Sequence, residues 1–247
     1  LNSVFAQSLP AIDLIIIDDH SVDHSVRVVE EWMNQQATRF RRALLLRHER
    51  NLGPAAARNS AIAQAETPFV FILDADNLLY STCLEKLYAS LQNCDATFAY
   101  SYLKKFGERT GIKNLGPWQP TSLTQINHVD AMVLLRKSAW KEVGGYTENK
   151  FTRIGWEDYD FWFKIARIDG WGVSIPEILA QYRSHKQSRS YHTQNPNAHR
   201  LLWYLYRTYP EFWQSKSQKE RWKDYLQFCK IFVSRTIGKI LGWKWLY

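Results

Sequence analysis

Two carboxylates one residue apart, Asp74 and Asp76, follow directly on the apolar run Phe69, Val70, Phe71, Ile72, Leu73. Five apolar residues after Pro68 predict a short strand buried on both faces, the pattern of a central parallel strand. Ligands of open parallel sheets gather at the carboxyl ends of the strands, so acids at this point could hold a phosphate-bound cation. A hard divalent cation takes oxygen ligands and often bridges protein to diphosphate. The competing reading of a bare Asp-x-Asp is a solvated loop in which both acids merely end a strand. A second acidic group, Glu157, Asp158 and Asp160, opens a helical stretch. Acids are favoured there by the helix dipole alone, so what surrounds both groups must decide.

The elements that would position these acids alternate between strand and helix. Leu1 to Gln7 reads as the end of a helix. Asp13 to Asp19 is a second buried strand closing in acids, and Val22, Val26, Val29 and Met33 repeat at helical intervals up to Gln35. Ala43 to Arg47 is the next strand. Asn51 to Pro54 turns into an alanine-rich helix, Ala55 to Ala65, with Arg58 and Asn59 in its first turns. After Asp76, Thr82, Cys83, Leu84 and Glu85 form a capping box for a helix ending near Gln92, and Ala96 to Leu103 is a strand. Residues 104 to 127, with Gly107, Gly111, Gly116, Pro117 and Pro120, predict a long irregular segment, of the length that is usually a binding loop or disordered. Ala131 to Leu135 is strand, Lys137 to Val143 helix, and Gly144-Gly145 a stop. The acidic helix runs to Asp169, and strands follow near Val173 and over Ile178 to Arg183. This alternation implies an α/β fold, a mainly parallel sheet flanked by helices and joined by right-handed crossovers.

The length of 247 residues suits one sizeable domain plus an extension, with core enough to need no disulfides. Three scattered cysteines, Cys83, Cys94 and Cys229, fit a reducing compartment, hence an expected cytoplasmic location. The net charge of +8 is uneven: residues 216 to 247 hold eight Lys/Arg against two acids, a net +6, leaving +2 for the rest. In that tail Trp222, Leu226, Cys229, Val233 and Ile240 share a helical stripe flanked by Lys223, Lys230, Arg235 and Lys239. Such a helix can lie on the inner face of a membrane among anionic headgroups, or pack the same stripe on the catalytic domain. Nucleic acid would account for the basic tail and for none of the acids, and a cleft of carboxylates repels phosphate without a metal.

Seven stretches in order resemble an inverting family two glycosyltransferase with the GT-A fold. They are Ser3 to Gln7, Ile15 to Ser21 (IIIDDHS), Asn51 to Asn59 (NLGPAAARN), Asp74-Ala75-Asp76, Gly144-Gly145-Tyr146, Gly155-Trp156-Glu157-Asp158, and Tyr182 to His185. The resemblance spans residues 1 to about 190. It implies a GT-A domain over residues 1–195 and leaves 196–247 as a basic, aromatic-rich helical extension. It implies that Asp19 and Arg58 contact the nucleotide base, that Asp74 lies at the ribose, and that Asp76 ligates Mg²⁺ or Mn²⁺ with His185 as a second ligand. The implied partners are a nucleotide-sugar donor, UDP- or dTDP-linked, and a glycan or glycolipid acceptor. Asp158 is then the catalytic base, taking a proton from the acceptor hydroxyl as it attacks the anomeric carbon. Glu157 sits about 100° from Asp158 on the same helix and orients the acceptor or caps the helix. Trp156 stacks on a sugar or fills core. One tension runs against this assignment, because a helix N-terminus lowers the basicity of the very carboxylate it holds.

Two rival chemistries fit less well. An aspartate-nucleophile phosphatase wants Gly and Thr or Val after its second acid, where Asn77 and Leu78 stand here, and a nucleotidylyltransferase wants a glycine-rich phosphate loop that this chain lacks. A domain that binds a nucleotide sugar or a membrane partner without turnover is the remaining alternative. Family members begin with an apolar strand and a Pro-x-Tyr-Asn-like turn upstream of the helix matched by Leu1 to Gln7. The expectation is therefore about 15 to 30 further upstream residues, supplying a strand between those that end at Asp19 and Asp76.

Overall fold

A computed structural model describes residues 1–113, 116–153, 155–185 and 198–214. The chain opens with one helical turn, α1 (Asn2–Phe5), whose exit is fastened by the buried Gln7. The Gln7 amide donates to Ser3 O and Tyr80 O, and its oxygen accepts from Leu84 N. β1 (Asp13–Asp18) and β2 (Arg42–Arg47) pair in parallel, Asp13 opposite Arg42 and Asp18 opposite Arg47. The connecting α2 (Ser25–Gln36) needs a dozen residues, as a parallel crossover does. α3 (Pro54–Gln64) starts on a proline whose missing N–H costs nothing at that position.

A second, mixed sheet carries the rest. Its strand order is β3 (Phe69–Phe71), β7 (Leu134–Arg136), β5 (Phe98–Gly107), β8 (Gly172–Ser184), β4 (Leu78–Leu79), and β6 (Gly111–Lys113) adds to β5 as a hairpin. Parallel pairing dominates by length: the β1–β2 and β5–β8 ladders are the longest, while four short ones are antiparallel. Among the described residues the pairing of β3 differs from the parallel one expected. β3 is three partly buried residues at the end of the order, antiparallel to β7, and the strand buried through is β5, where Phe98, Ala99, Tyr100 and Leu103 are fully enclosed. A short apolar run reads the same whichever way its neighbours run, so the run at Phe69 could not reveal the direction of its pairing. β1 and β3 lie in separate sheets and share no ladder among the described residues.

β8 is one strand of 13 residues where two were expected. Ile175 pairs with Ser101 and Ile178 with Tyr102, so Pro176 and Glu177 are bulged out of the ladder. A proline has no N–H to give a ladder, and a bulge lets the strand carry it through. The segment expected as a loop is likewise built. β5 runs on to Gly107, β6 returns, and Trp118 wedges edge-on against Phe98 at 5.2 Å while its indole N–H donates to Gly170 O at 3.0 Å. Gly172 makes room for the same ring, since a Cβ there would come within 2.3 Å of Phe98.

Helices close both sides. α4 (Cys83–Gln92) and α5 (Lys137–Glu142) flank the sheet, and α6 (Glu157–Arg167) buries Tyr159, Phe161, Trp162, Phe163 and Ile165. α7 (Ala198–Thr208) and α8 (Glu211–Gln214) are helical as expected and pack on α6. Phe163 stacks on Tyr209 and Trp213 at 5.1 and 5.3 Å, and the hydroxyls of Tyr204 and Tyr209 both donate to Asp160 Oδ1. The basic stripe at residues 216–247 lies outside the described residues. Among the described residues no helix is long and apolar enough to cross a membrane.

Candidate active site

The end of β1 shapes the first wall. Asp19 Oδ1 accepts from His48 Nδ1 at 2.7 Å and Leu52 N at 2.8 Å, and Oδ2 accepts from Gly53 N at 2.7 Å. His48 Nε2 lies 2.9 Å from Ser60 Oγ, so a proton on Nδ1 leaves Nε2 to accept from the serine hydroxyl. Burial opposes the charge on Asp19, but the hydrogen bonds from His48 and the two amides outweigh it and hold the carboxyl below its usual range. Asp19 thereby clamps the Asn51 to Gly53 turn that starts α3, a role the sequence did not announce.

α3 then presents Arg58 and Asn59 to opposite tasks. Asn59 Oδ1 accepts from Tyr146 N and Trp140 Nε1, and its amide donates to Tyr146 O and Glu148 Oε1. This fixes the Gly144-Gly145-Tyr146 turn. Gly145 has φ +70°, and a Cβ there would stand 2.7 Å from Asn59 Oδ1, so the turn tolerates no side chain. Arg58 instead bridges two acids, with NH2 on Asp74 Oδ1 at 3.0 Å and NH1 on Glu157 Oε1 at 2.9 Å. Its side chain is only 12% exposed and lies 5.5 Å from the Tyr146 ring centre. Burial works against the guanidinium, yet Asp74 and Glu157 hold it firmly protonated. Where the resemblance expects a base contact, the guanidinium ties the end of β3 to the start of α6.

Asp76 faces the other way. Its Oδ2 stands 3.2 Å from His185 Nε2, with the two side chains 42% and 37% exposed and so open to a ligand. Sheet register makes this pair: Leu78 is opposite Gln181, Arg183 N donates to Asn77 Oδ1 at 2.9 Å, and Arg183 Nε donates to Asp76 O at 3.1 Å. A carboxylate oxygen and an imidazole nitrogen converging at an open position fit Mn²⁺ or Mg²⁺, with other coordination places left to ligand oxygens. Among the described residues no group of three or more metal-ligating side chains occurs, so a cation here would need a partner such as diphosphate.

The start of α6 completes the cluster. Trp156 precedes it in the left-handed region, φ 61° and ψ 25°, a conformation that costs a non-glycine residue on the order of 1 kcal/mol and persists only where the surroundings enforce it. Trp156 is partly buried, with its ring 5.6 Å from that of Tyr159, which accounts for packing. Glu157 and Asp158 do point apart: Glu157 takes Arg58, whereas Asp158 Oδ2 accepts from Asn127 Nδ2 at 3.0 Å and Oδ1 from Tyr159 N at 2.8 Å. Asp158 keeps some exposure but is ringed by protein, and that burial, followed by the charge of Glu157, pushes its carboxyl up to about 7. The charge of Arg58 and the Tyr159 amide bond pull the other way, and burial outweighs both.

The model of the family described as Glycosyl transferase family 2 matches residues 1–153. The chain belongs to that family. Among family relatives, an uncharacterized glycosyltransferase of Methanocaldococcus jannaschii is 26% identical over 89% of this chain and 73% of its own length. A putative teichuronic acid biosynthesis glycosyltransferase of Bacillus subtilis, TuaG, is 23% identical over 96% of this chain and 90% of its own. The chain spans only 35% of another relative, the glycosyltransferase GlyG of Streptococcus pneumoniae. A crystal structure of Staphylococcus aureus TarS 1–349 with UDP-GlcNAc superposes with a TM-score of 0.65 at 18% identity, covering 98% of this chain and 70% of that one. A mannosyltransferase of Pyrobaculum calidifontis, in complex with GDP-Man and Mn²⁺, gives a TM-score of 0.60 at 16% identity, covering 79% and 55%. The fold is GT-A, a curled mixed sheet flanked by helices.

Within this family 2 chain, Arg58 links Asp74 directly to Glu157, whose sequence neighbour is Asp158, and Asp76 meets His185. Asp19 stands apart from those contacts, joined to them through α3. Sequence reasoning missed His48, Asn127 and the partly buried ion pair Lys113–Asp130, at 2.9 Å, which adds its charges to the field around Asp158. His48 lies one residue beyond a strand end, a signal that could have been read. Asn127 and Lys113 lie in the glycine- and proline-rich stretch where no periodic signal exists.

Proposed function

We propose that this chain is an inverting glycosyltransferase that moves a sugar from a UDP- or dTDP-linked donor onto a hydroxyl of a glycan or glycolipid, with Asp158 as the base. The observation that carries this reading is the cluster in which Arg58 joins Asp74, past the end of β3, to Glu157 at the start of α6 beside Asp158, and burial there pushes the Asp158 carboxyl up to about 7. A base works best with a pKa near the working pH. In the reaction Asp158 accepts the proton of the acceptor hydroxyl while that oxygen bonds to the anomeric carbon from the face opposite the diphosphate. The bond from that carbon to the diphosphate oxygen breaks as the new one forms, so one displacement inverts the centre. Asp76 and His185 would hold the cation, whose chemistry is to offset the negative charge of the departing diphosphate. Glu157, held by Arg58, and Trp156 border the side from which the acceptor would approach. The nucleotide sugars seen in TarS and in the mannosyltransferase support a nucleoside diphosphate sugar as donor class.

A panel of nucleotide sugars, assayed for release of nucleoside diphosphate with and without chelator, tests the reading. Metal-dependent release from a UDP- or dTDP-sugar is expected. Binding of donors with release from none, across glycan and glycolipid acceptors, would return the non-catalytic alternative.

The net +6 of residues 216 to 247 supports work at an anionic membrane surface. Deleting the segment should abolish co-flotation with anionic vesicles, and native flotation after the deletion would remove this part of the proposal.

A further inference from the structure

We infer that Asn127 is a positioning residue for Asp158, fixing which oxygen lone pairs of the carboxylate remain free for the acceptor's proton. The inference rests on Asp158 being the base.

Asn127 follows the 3₁₀ turn Pro120–Thr124, on a loop leading to β7, far from Asp158 in sequence. Its amide donates to Asp158 Oδ2 at 3.0 Å, while its own Oδ1 is buried with no hydrogen-bond partner. Turning the amide over would aim that oxygen at the carboxylate, so the charge of Asp158 settles its orientation.

The loop's position does not depend on Asp158. Trp162 Nε1 donates to Val129 O at 3.1 Å, and Tyr159 donates its hydroxyl to Leu123 O. Asp130 is held by Lys113 Nζ at 2.9 Å and by Met132 N at 3.2 Å. On the other flank His128 stacks beside Trp118, 5.5 Å between rings, and accepts from Gln119 N at 3.3 Å. The scaffold therefore brings the amide to the carboxylate.

Charged and titratable groups face Asp158 from every element around it: Glu157 and Tyr159 on α6, Arg58 on α3, Tyr146 after the glycine turn, Asp130 on the loop, and Lys113 on β6. Arg58 and Lys113 each bond to other carboxylates, Asp74 and Glu157 for the first and Asp130 for the second. Among the described residues the side-chain donor bonded to Asp158 is thus a neutral one. A cationic donor in its place would strip the carboxylate of proton affinity, and no donor would leave the acid protonated at neutral pH. An amide between these limits leaves a carboxylate that is ionised yet basic. With Oδ1 taken by Tyr159 N and one lone pair of Oδ2 by Asn127, the proton is directed to a remaining lone pair.

The test is kcat/KM against pH for the native protein, Asn127→Ala, Asn127→Ser and Asn127→Asp, beside ¹³C NMR titration of the Asp158 carboxyl. In Asn127→Ala the acid limb, near pH 7 in the native protein, should rise by about one pH unit, with donor KM unchanged and activity at pH 9 within about threefold of native. Asn127→Ser keeps a donor and should fall between native and Ala. Asn127→Asp removes the donor and adds a like charge, so it should rise furthest. A merely structural role would lower activity by one factor at every pH and leave both limb and NMR titration in place, which overturns the inference. The carboxyl titration needs no acceptor. Native turnover by Asp158→Asn would defeat the base assignment alone, while an unmoved titration in all three Asn127 variants would defeat this one.

Discussion

Asp158→Asn is expected to lower turnover by at least about a hundredfold while donor affinity stays within a few-fold of native, the scale of losing a general base. The amide keeps the size of the side chain but cannot take the acceptor's proton. Donor affinity is spared because the donor's diphosphate is assigned to Asp76 and His185, which precede β4 and follow β8, away from the helix that carries Asp158. Stability should move the other way. The folded-state pKa of Asp158, about 7, lies above the ordinary 3.8, so the folded protein holds that proton more tightly than the unfolded chain does. The neutral form favours folding below about pH 4. That advantage is lost as pH rises to about 7, above which the buried charge is a standing cost. Asp158→Asn removes the cost, so it should gain on the order of 1–2 kcal/mol, a few degrees in Tm, at pH 8–9 and almost nothing at pH 4–5. Thermal melts at both pH values beside steady-state kinetics decide it. Native turnover, or a Tm gain independent of pH, would remove Asp158 from its role.

How much of this was legible in the sequence depended on range. The Asp74 to Asn77 turn, the acids at the start of α6 and the Arg58-Asn59 pair in α3 are local patterns, and each element formed within a few residues of its reading. What the side chains touch was not legible. Arg58 reads as a helix residue near a glycine turn, and only tertiary packing reveals that it spans Asp74 and Glu157, 99 residues away. β3 was read as a parallel strand but pairs antiparallel with β7, because apolar composition reports burial and not ladder partners. β8 was divided at Pro176 because proline usually ends a strand, and the compensating bulge is a property of its pairing with β5. Asn127 was invisible for the same reason that it is informative: its partner is 31 residues on, and Asn127 itself ends a stretch whose glycines and prolines give no periodic signal. The family resemblance supplied His185, whose nearness to Asp76 comes from the register of β4 on β8.

Asp76→Ala should abolish metal-dependent nucleotide binding, reducing UDP affinity in Mn²⁺ to that of the native protein in chelator. With Asp76 gone, a lone imidazole remains at an open position, which is a weak site for a hard cation that prefers oxygen. A diphosphate arriving without the ion would meet Asp74, Glu157 and Asp158 with only Arg58 bridging among them, and its charge would be opposed instead of offset. His185→Ala should weaken binding less, because the carboxylate oxygen remains and water can fill the vacated place. Asp74→Asn should behave differently from both. Arg58 would keep Glu157 but lose a charge partner, so nucleotide binding should remain metal-dependent while the Arg58 bridge slackens. Calorimetry of UDP with Mn²⁺ on the three variants separates these outcomes. Undiminished binding by Asp76→Ala, or binding by the native protein that chelator leaves untouched, would place the diphosphate elsewhere and take the cation out of the site.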